Sequence, residues 1–578
     1  MHFLSWSNFR KATVPLLLVF ALVLLVVSAA GQDRTQARSM VISKGGIVAS
    51  ESPLASQTGA RVLESGGNAV DAAIATNAMM GVVEPMMNGI GGDLFAIVYD
   101  AKANKLYGLN ASGWAPKNLT IEFLQKQGLK EMPQKGINAV TVPGAVEGWQ
   151  KLADRFGRKK LAEDLAAAIA TARGGFPVPE MTSAYWASGV DLLRSNEAAS
   201  KTYLPNDRAP KSGDIFENED LAWSLQQIAE HGRDAYYKGE IARKILAAEK
   251  AHNGAMSEED LSKFSAEWVE PISTTYRDWT VYELPPNGQG LAALEMLNIL
   301  ETTPLGQKGY EFGSAKALHL MIEAKKLAYA DLKRYIGDPR GNDGHGQKLP
   351  VERLLSKEWA AQRGKLIDEQ KANCDVAGGE MAAGNDTTYL SVVDRDGNMV
   401  SLIQSNYDSF GSGIVAPGTG FVLHNRGGLF VLDAKSPNAL AGRKRPLHTI
   451  IPAFAEKRDP QKGDTRMAFG IMGGWNQSQA HAQFMVDLAD YKMNIQAAME
   501  APRFTKKTFA GCDVMLENRF SQKTRDELKA KGHDIKLLGS FSSHVGGGQV
   551  TLRDFSTGVN YGASDPRKDG EAVAEMPQ

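Results

Sequence analysis

The chain is poor in cysteine: its 578 residues hold only Cys374 and Cys512. No C-x-x-C pair occurs, and no two histidines stand at helical spacing with an acidic partner, so no metal motif is legible. Two cysteines leave open either one disulfide closing a long loop in an oxidising compartment or two unpaired thiols. Charge of one sign is also missing. With 65 Lys and Arg against 66 Asp and Glu, the net charge of -1 excludes the basic footprint of a nucleic-acid binder. A serine elbow, G-x-S-x-G at a strand-to-helix turn, is absent, and Phe410-Gly411-Ser412-Gly413 reads as turn chemistry. Gly89-Ile90-Gly91-Gly92-Asp93 lacks the spacing and the Lys-Ser/Thr of a P-loop and precedes a strand, so it reads as a tight turn packed near a site. Internal repeats are lacking as well.

Long apolar runs are scarce too. The one of note, Val14 to Val27, follows Arg10 and Lys11 and precedes Ser28-Ala29-Ala30. That layout predicts a secretory signal over residues 1–30, cleaved after Ala30, and hence a secreted or periplasmic protein; an uncleaved anchor is the alternative.

What remains is ordinary globular composition, 43% hydrophobic and 23% charged, enough for a large core. After the signal the pattern predicts a short strand, helices over Ser56–Ser65 and Ala69–Val82, and a strand after Gly92 with a hairpin partner around Lys105–Leu109. A mostly helical region is expected from Pro143 to Ile367. A polar passage from Ala372 to Asp386 suits a loop open to cutting. Strands are expected at Gly420–Leu423, Met467–Gly470, Gly548–Leu552 and Val559–Gly562, with a helix at Ser478–Leu488. This ordering suggests a layered α/β architecture.

The chemistry centres on "GNDTTYLSVVDRDGNMVSLIQS", which reads as a loop and then a hairpin turning at Asp394–Asn398. If the Asp386–Thr387 bond were cut, Thr387 would carry a hydroxyl nucleophile and its own α-amine. Such an amine titrates near pKa ~7.7–8.0 and can serve as base without a histidine. Met472-Gly473-Gly474-Trp475-Asn476 follows an apolar strand and precedes a helix, and its glycines can present two N–H groups to an oxyanion.

These segments, together with "PLASQTGARVLESGGNAVDAAIA", "GVVEPMMNGIGGDLFAIVYD", "AVTVPGAVEGW", "FGSGIV", "KRPLHTIIP", "APRF" and "YGASDPR", resemble the γ-glutamyltranspeptidase (glutathione hydrolase) family in order and spacing. The resemblance implies a four-layer αββα sandwich of the N-terminal nucleophile hydrolases. It implies a proenzyme cut before Thr387 into a large subunit (31–386) and a small one (387–578) that form one body. The nucleophile would cleave γ-glutamyl amides through an acyl-enzyme resolved by water, an amino acid or a peptide, without metal or organic cofactor. By position, Ser405 stands where the family hydrogen-bonds the nucleophile's amine, Gly473 and Gly474 match its oxyanion glycines, and Thr388 completes its Thr-Thr pair.

The departures concern substrate recognition. In "LNASGWAP", Ser112 occupies the place of the family's carboxylate-binding Arg, with Trp114 nearby. Tyr407 replaces an Asn, Arg426 and Leu429 replace the Gln and Asp that hold the substrate's amine, and His448-Thr449 replaces a Ser-Ser pair. Arg426 is a candidate to capture a carboxylate from another wall. An acylase for glutaryl- or β-lactam-type amides is the alternative activity, and a processed but inactive binding protein a further one.

Overall fold

Period-two alternation dictates the centre of the molecule. Along Asp386–Val393, Tyr389 and Val393 face one way and Leu390 and Val392 the other; along Met399–Tyr407, Met399 and Ile403 oppose Val400 and Leu402. A strand with both faces apolar needs a layer on each side. The computed structural model describes residues 36–340, 349–376, 386–461 and 463–577, and supplies both layers. The expected signal, 1–30, and residues 377–385 of the expected loop lie outside the described residues. The chain divides into a short unit, Met1–Ser39, and a large one, Met40–Gln578, which holds both central sheets.

One seven-stranded sheet runs, in spatial order, Val41–Ser43, Val559–Ser564, Gly548–Asp554, Thr465–Ile471, Ala453–Lys457, Trp279–Glu283 and Ile272–Tyr276. The other runs Glu571–Ala574, Ile47–Ser50, Asp386–Val393, Met399–Tyr407, Asp93–Asp100, Lys105–Ala111 and Glu267–Val269. Neighbouring strands in both are antiparallel. Phe95, Ile97, Tyr389, Ile403, Ile450 and Phe454 form the layer between the sheets. Each such fully buried side chain contributes roughly 1.5–3 kcal/mol. Leu390, Val392, Val400 and Leu402 pack outward with the helices Pro53–Glu64, Ala69–Val83 and Ala145–Phe156. Met467, Phe469 and Ile471 pack with Gly290–Glu301, Ala315–Tyr335 and Gln477–Ala489. The architecture is the expected αββα sandwich.

Two readings need correction. The region expected to be mostly helical also carries the strands Glu267–Val269, Ile272–Tyr276 and Trp279–Glu283, whose Thr, Tyr and Trp content favours a pleated surface. Gly420–Leu423 forms no strand and keeps only the bridge Val415–Val422, because Gly420 at φ +74° breaks extended pairing.

Candidate active site

Alternation continues to the strand ends and fixes what meets there. Thr387 shares a face with Tyr389, Ser405 with Ile403, and Asp93 with Phe95, so all three reach the edge of the intersheet layer. Ser405 pairs directly with Asp93 across the sheet. The ladder slips between Asp386 and Thr388, leaving a bulge at Thr387. There the Thr387 hydroxyl donates to Ser405 Oγ at 3.2 Å, and Ser405 Oγ accepts from the Tyr407 N–H at 2.7 Å. Gly92 keeps Ser405 in place by close approach, since a Cβ there would meet the Ser405 carbonyl oxygen at 2.6 Å. Gly92→Ala is therefore expected to cost about 1–3 kcal/mol, read as a lowered urea midpoint at unchanged slope. A midpoint equal to the parent's would show that the strand yields at no cost.

Behind this pair lies a buried ionic knot. Asp93 takes two bonds from Arg426, from Nε at 3.0 Å and Nη2 at 3.2 Å, and a third contact from His448 Nε2 at 2.6 Å. His424 Nδ1 stands 3.4 Å from the same carboxylate. Burial alone would raise the Asp93 carboxyl, but Arg426 and His448 outweigh it and hold the group well below the ordinary carboxylate range. Burial and the Arg426 charge push His448 down to about 4, so the imidazole is neutral at pH 7. The Arg426 guanidinium also covers the Tyr407 ring at 4.6 Å and donates to Thr449 Oγ1 at 2.6 Å.

The glycine turn joins the same chain of contacts. Gln289 Nε2 donates to the Thr449 carbonyl at 2.5 Å and to the Gly474 carbonyl at 2.8 Å. Gly473 and Gly474 have φ of 125° and 59°, conformations that disfavour a side chain. Their N–H groups donate to no other group among the described residues, which leaves both available to an oxyanion. Upstream, Tyr389 packs its ring where a Gly470 side chain would stand, placing the Asp386–Val393 strand over the strand that leads into the turn.

Most of the residues singled out in the sequence are thus linked by one chain of contacts: Thr387, Ser405, Tyr407, Arg426, His448, Thr449 and Gly474, with Gly473 next to it in the turn. The Asp386 backbone pairs with Tyr407. Ser112 joins through Asn287, whose Nδ2 donates to Ser112 Oγ at 3.2 Å while its carbonyl accepts from His448 N at 2.8 Å. Asn110 and Asn287 also border a cavity of about 490 Å³ lined further by Val269, Pro285, Arg340 and Arg445. Two residues lie elsewhere. Thr388 shares the helix-facing side of Leu390, by alternation, and Trp114 packs on Phe264 and Arg443 and donates to the Asp260 carbonyl. Arg426, a candidate carboxylate anchor, is already taken up by Asp93. Sequence reasoning missed Asp93, Asn287 and Gln289; only the glycine-rich turn before Asp93 pointed that way.

No metal ligand set is expected from the sequence, yet His319, Glu323 and His533 bring their donor atoms within 4.8 Å of one another. Their contacts are already internal: His319 Nδ1 bonds His533 Nε2 at 2.8 Å, and Lys326 Nζ holds Glu323 at 2.7 Å. Beside them the open question of the cysteines is answered, for Cys374 and Cys512 form a disulfide.

Comparison with known proteins places the chain and its fold in one family. A family model described as Gamma-glutamyltranspeptidase matches residues 55–575. A glutathione hydrolase-like YwrD proenzyme of Bacillus subtilis is 36% identical, over 92% of this chain and 99% of its own. A glutathione hydrolase proenzyme of Escherichia coli is 33% identical, over 92% of each. The crystal structure of a cephalosporin acylase from Bacillus halodurans superposes with a TM-score of 0.85 at 40% identity, covering 95% of this chain and 99% of that one.

Proposed function

The chain belongs to the γ-glutamyltranspeptidase family, and from that premise we propose that it is a self-processing threonine amide hydrolase. The observation that carries the reading is the Thr387–Ser405 hydroxyl contact at a strand bulge, linked through Tyr407, Arg426, Thr449 and Gln289 to the Gly473–Gly474 turn. In maturation Thr387 Oγ1 attacks the Asp386 carbonyl carbon, the C–N bond breaks, and the nitrogen takes up the proton. Water then hydrolyses the resulting ester, leaving Asp386 as a carboxylate and Thr387 with a free amine. The products are a large subunit ending at Asp386 and a small one beginning at Thr387, held as a heterodimer. In turnover that amine accepts the hydroxyl proton, Oγ1 attacks a substrate amide, and the leaving amine departs protonated. The Gly473 and Gly474 N–H groups stabilise the oxyanion. Water or an acceptor amine resolves the acyl-enzyme.

Substrates of the γ-glutamyl class are the first reading of the acyl group. One observation favours the second, an acylase for glutaryl-type amides. The carboxylate in this network, Asp93, is consumed by Arg426 and His448, so the network offers no free acid to an α-ammonium. Several relatives are named acylases. The names of others, the glutathione hydrolases, keep the γ-glutamyl reading in view. We therefore expect the processed enzyme to release aniline chromophore from glutaryl-anilide with kcat/KM at least about tenfold above γ-glutamyl-anilide, a difference of ~1.4 kcal/mol. The reverse order would restore the γ-glutamyl assignment. A secreted or periplasmic location is part of the proposal, supported by the disulfide, since such bonds persist in oxidising compartments. Among the described residues no helix is long and apolar enough to cross a membrane.

A further inference from the structure

The disulfide deserves a functional reading because of where it lies along the chain. Cys374 precedes the Asp386–Thr387 bond and Cys512 follows it, the two cysteines standing 138 residues apart. Each sulfur has a different setting. Cys374 is exposed, whereas Cys512 is half-buried and its Sγ lies 3.6 Å from the buried Lys326 ammonium. The segment around Cys374 is docked by backbone bonds as well: Ala372 N donates to the Lys531 carbonyl, Gly511 N to the Cys374 carbonyl, and Asn373 N to Glu323. Lys326 in turn donates to the Asn373 carbonyl at 3.0 Å. An exposed sulfur beside a partner whose thiolate faces a cation makes a disulfide directional. The cation favours departure of the sulfur it faces.

We propose that Cys374–Cys512 is a thiol-exchange site that keeps the two products of maturation covalently joined until a small-molecule thiol attacks Cys374 Sγ and Cys512 leaves. The inference rests on the cleavage reading for its tether and on geometry alone for its direction. In the step, the thiol gives its proton to solvent and its sulfur bonds Cys374. The electron pair of the old S–S bond passes to Cys512 Sγ, opposite Lys326. A second thiol then displaces the first from Cys374 as a symmetrical disulfide and frees the cysteine.

Denaturing gels of the purified full chain, alkylated on lysis, test the tether. One band is expected without reductant and two with dithiothreitol. Two bands without reductant would overturn the tether, whereas one band under both conditions refutes cleavage and not exchange. Direction is read separately, by brief exposure to 2-mercaptoethanol, acid quench and peptide mass. The adduct is expected on the Cys374 peptide, and an adduct on Cys512 overturns the assignment. Lys326→Gln should slow opening about threefold or more, with Lys326→Arg restoring it. An unchanged rate in a Lys326→Gln protein that keeps its thermal midpoint would remove Lys326 from the mechanism.

Discussion

Thr387→Ala leaves one uncut chain on a reducing gel and abolishes turnover of every acyl-anilide. The expected loss is on the order of 10⁴-fold or more, the scale seen when the nucleophile of a cooperating set is removed. The physical reason is that no neighbouring group can substitute. Ser405 Oγ lies 3.2 Å from Thr387 Oγ1 and is itself pinned by the Tyr407 N–H, so its position belongs to orientation. Thr388 shares the opposite, helix-facing side of the strand with Leu390. Thr387→Ser should retain slow cleavage, because the hydroxyl survives while the methyl that fixes its rotamer does not. N-terminal sequencing of the smaller piece gives the check, with Thr as the first residue. A Thr387→Ala protein that is still cut at this bond would end the proposal.

Asp93→Ala is expected to be the most destabilising single change in the site, by about 3–5 kcal/mol, because it strands the Arg426 guanidinium without its counter-charge. Both side chains are fully buried, so solvent offers no screening. Double substitution with Arg426→Met should recover part of the loss, since the buried cation goes with its partner, and a double-mutant cycle separates the pair term. Additive losses in that cycle would contradict the coupling. The pH dependence follows from the direction of the shift. The folded Asp93 carboxyl lies below the ordinary 3.8, so its contribution is complete above that value and is lost as pH falls through the lower, folded one. Urea midpoints of the parent at neutral and mildly acidic pH should therefore show no loss from this group.

The layered α/β ordering and the hairpin were legible because they depend on local pattern, whereas the four-layer sandwich followed only from the family resemblance. Alternation over Thr387–Val393 and Met399–Ser405 is a property of contiguous residues, so the two strands of the hairpin can be read without knowing what packs on them. The ionic knot was not legible, since Asp93 acquires its meaning only from Arg426, 333 residues away. Arg426 looked available for a substrate carboxylate for the same reason: its partner is invisible in one dimension. Trp114 was drawn in by closeness to Ser112, but beyond the strand's end at Ala111 the chain turns it toward Phe264. The three strands between Glu267 and Glu283 escaped notice because each is five residues or fewer, too short for periodicity to separate from loop.

Under the proposed cleavage, the interleaving of the two sheets gives maturation a direction in time. Three strands of one sheet and four of the other precede Asp386, and the rest follow or contain Thr387, so neither piece carries a complete layer. Before the cut, refolding is a single-chain event. Afterwards it becomes an encounter between two incomplete partners, slower on dilution and exposed to aggregation. With Cys374–Cys512 closed, each piece would instead find its partner at an effective concentration set by the tether. The mature enzyme would then recover from unfolding independently of its own abundance, a property that matters most where no folding machinery driven by nucleotide is at hand.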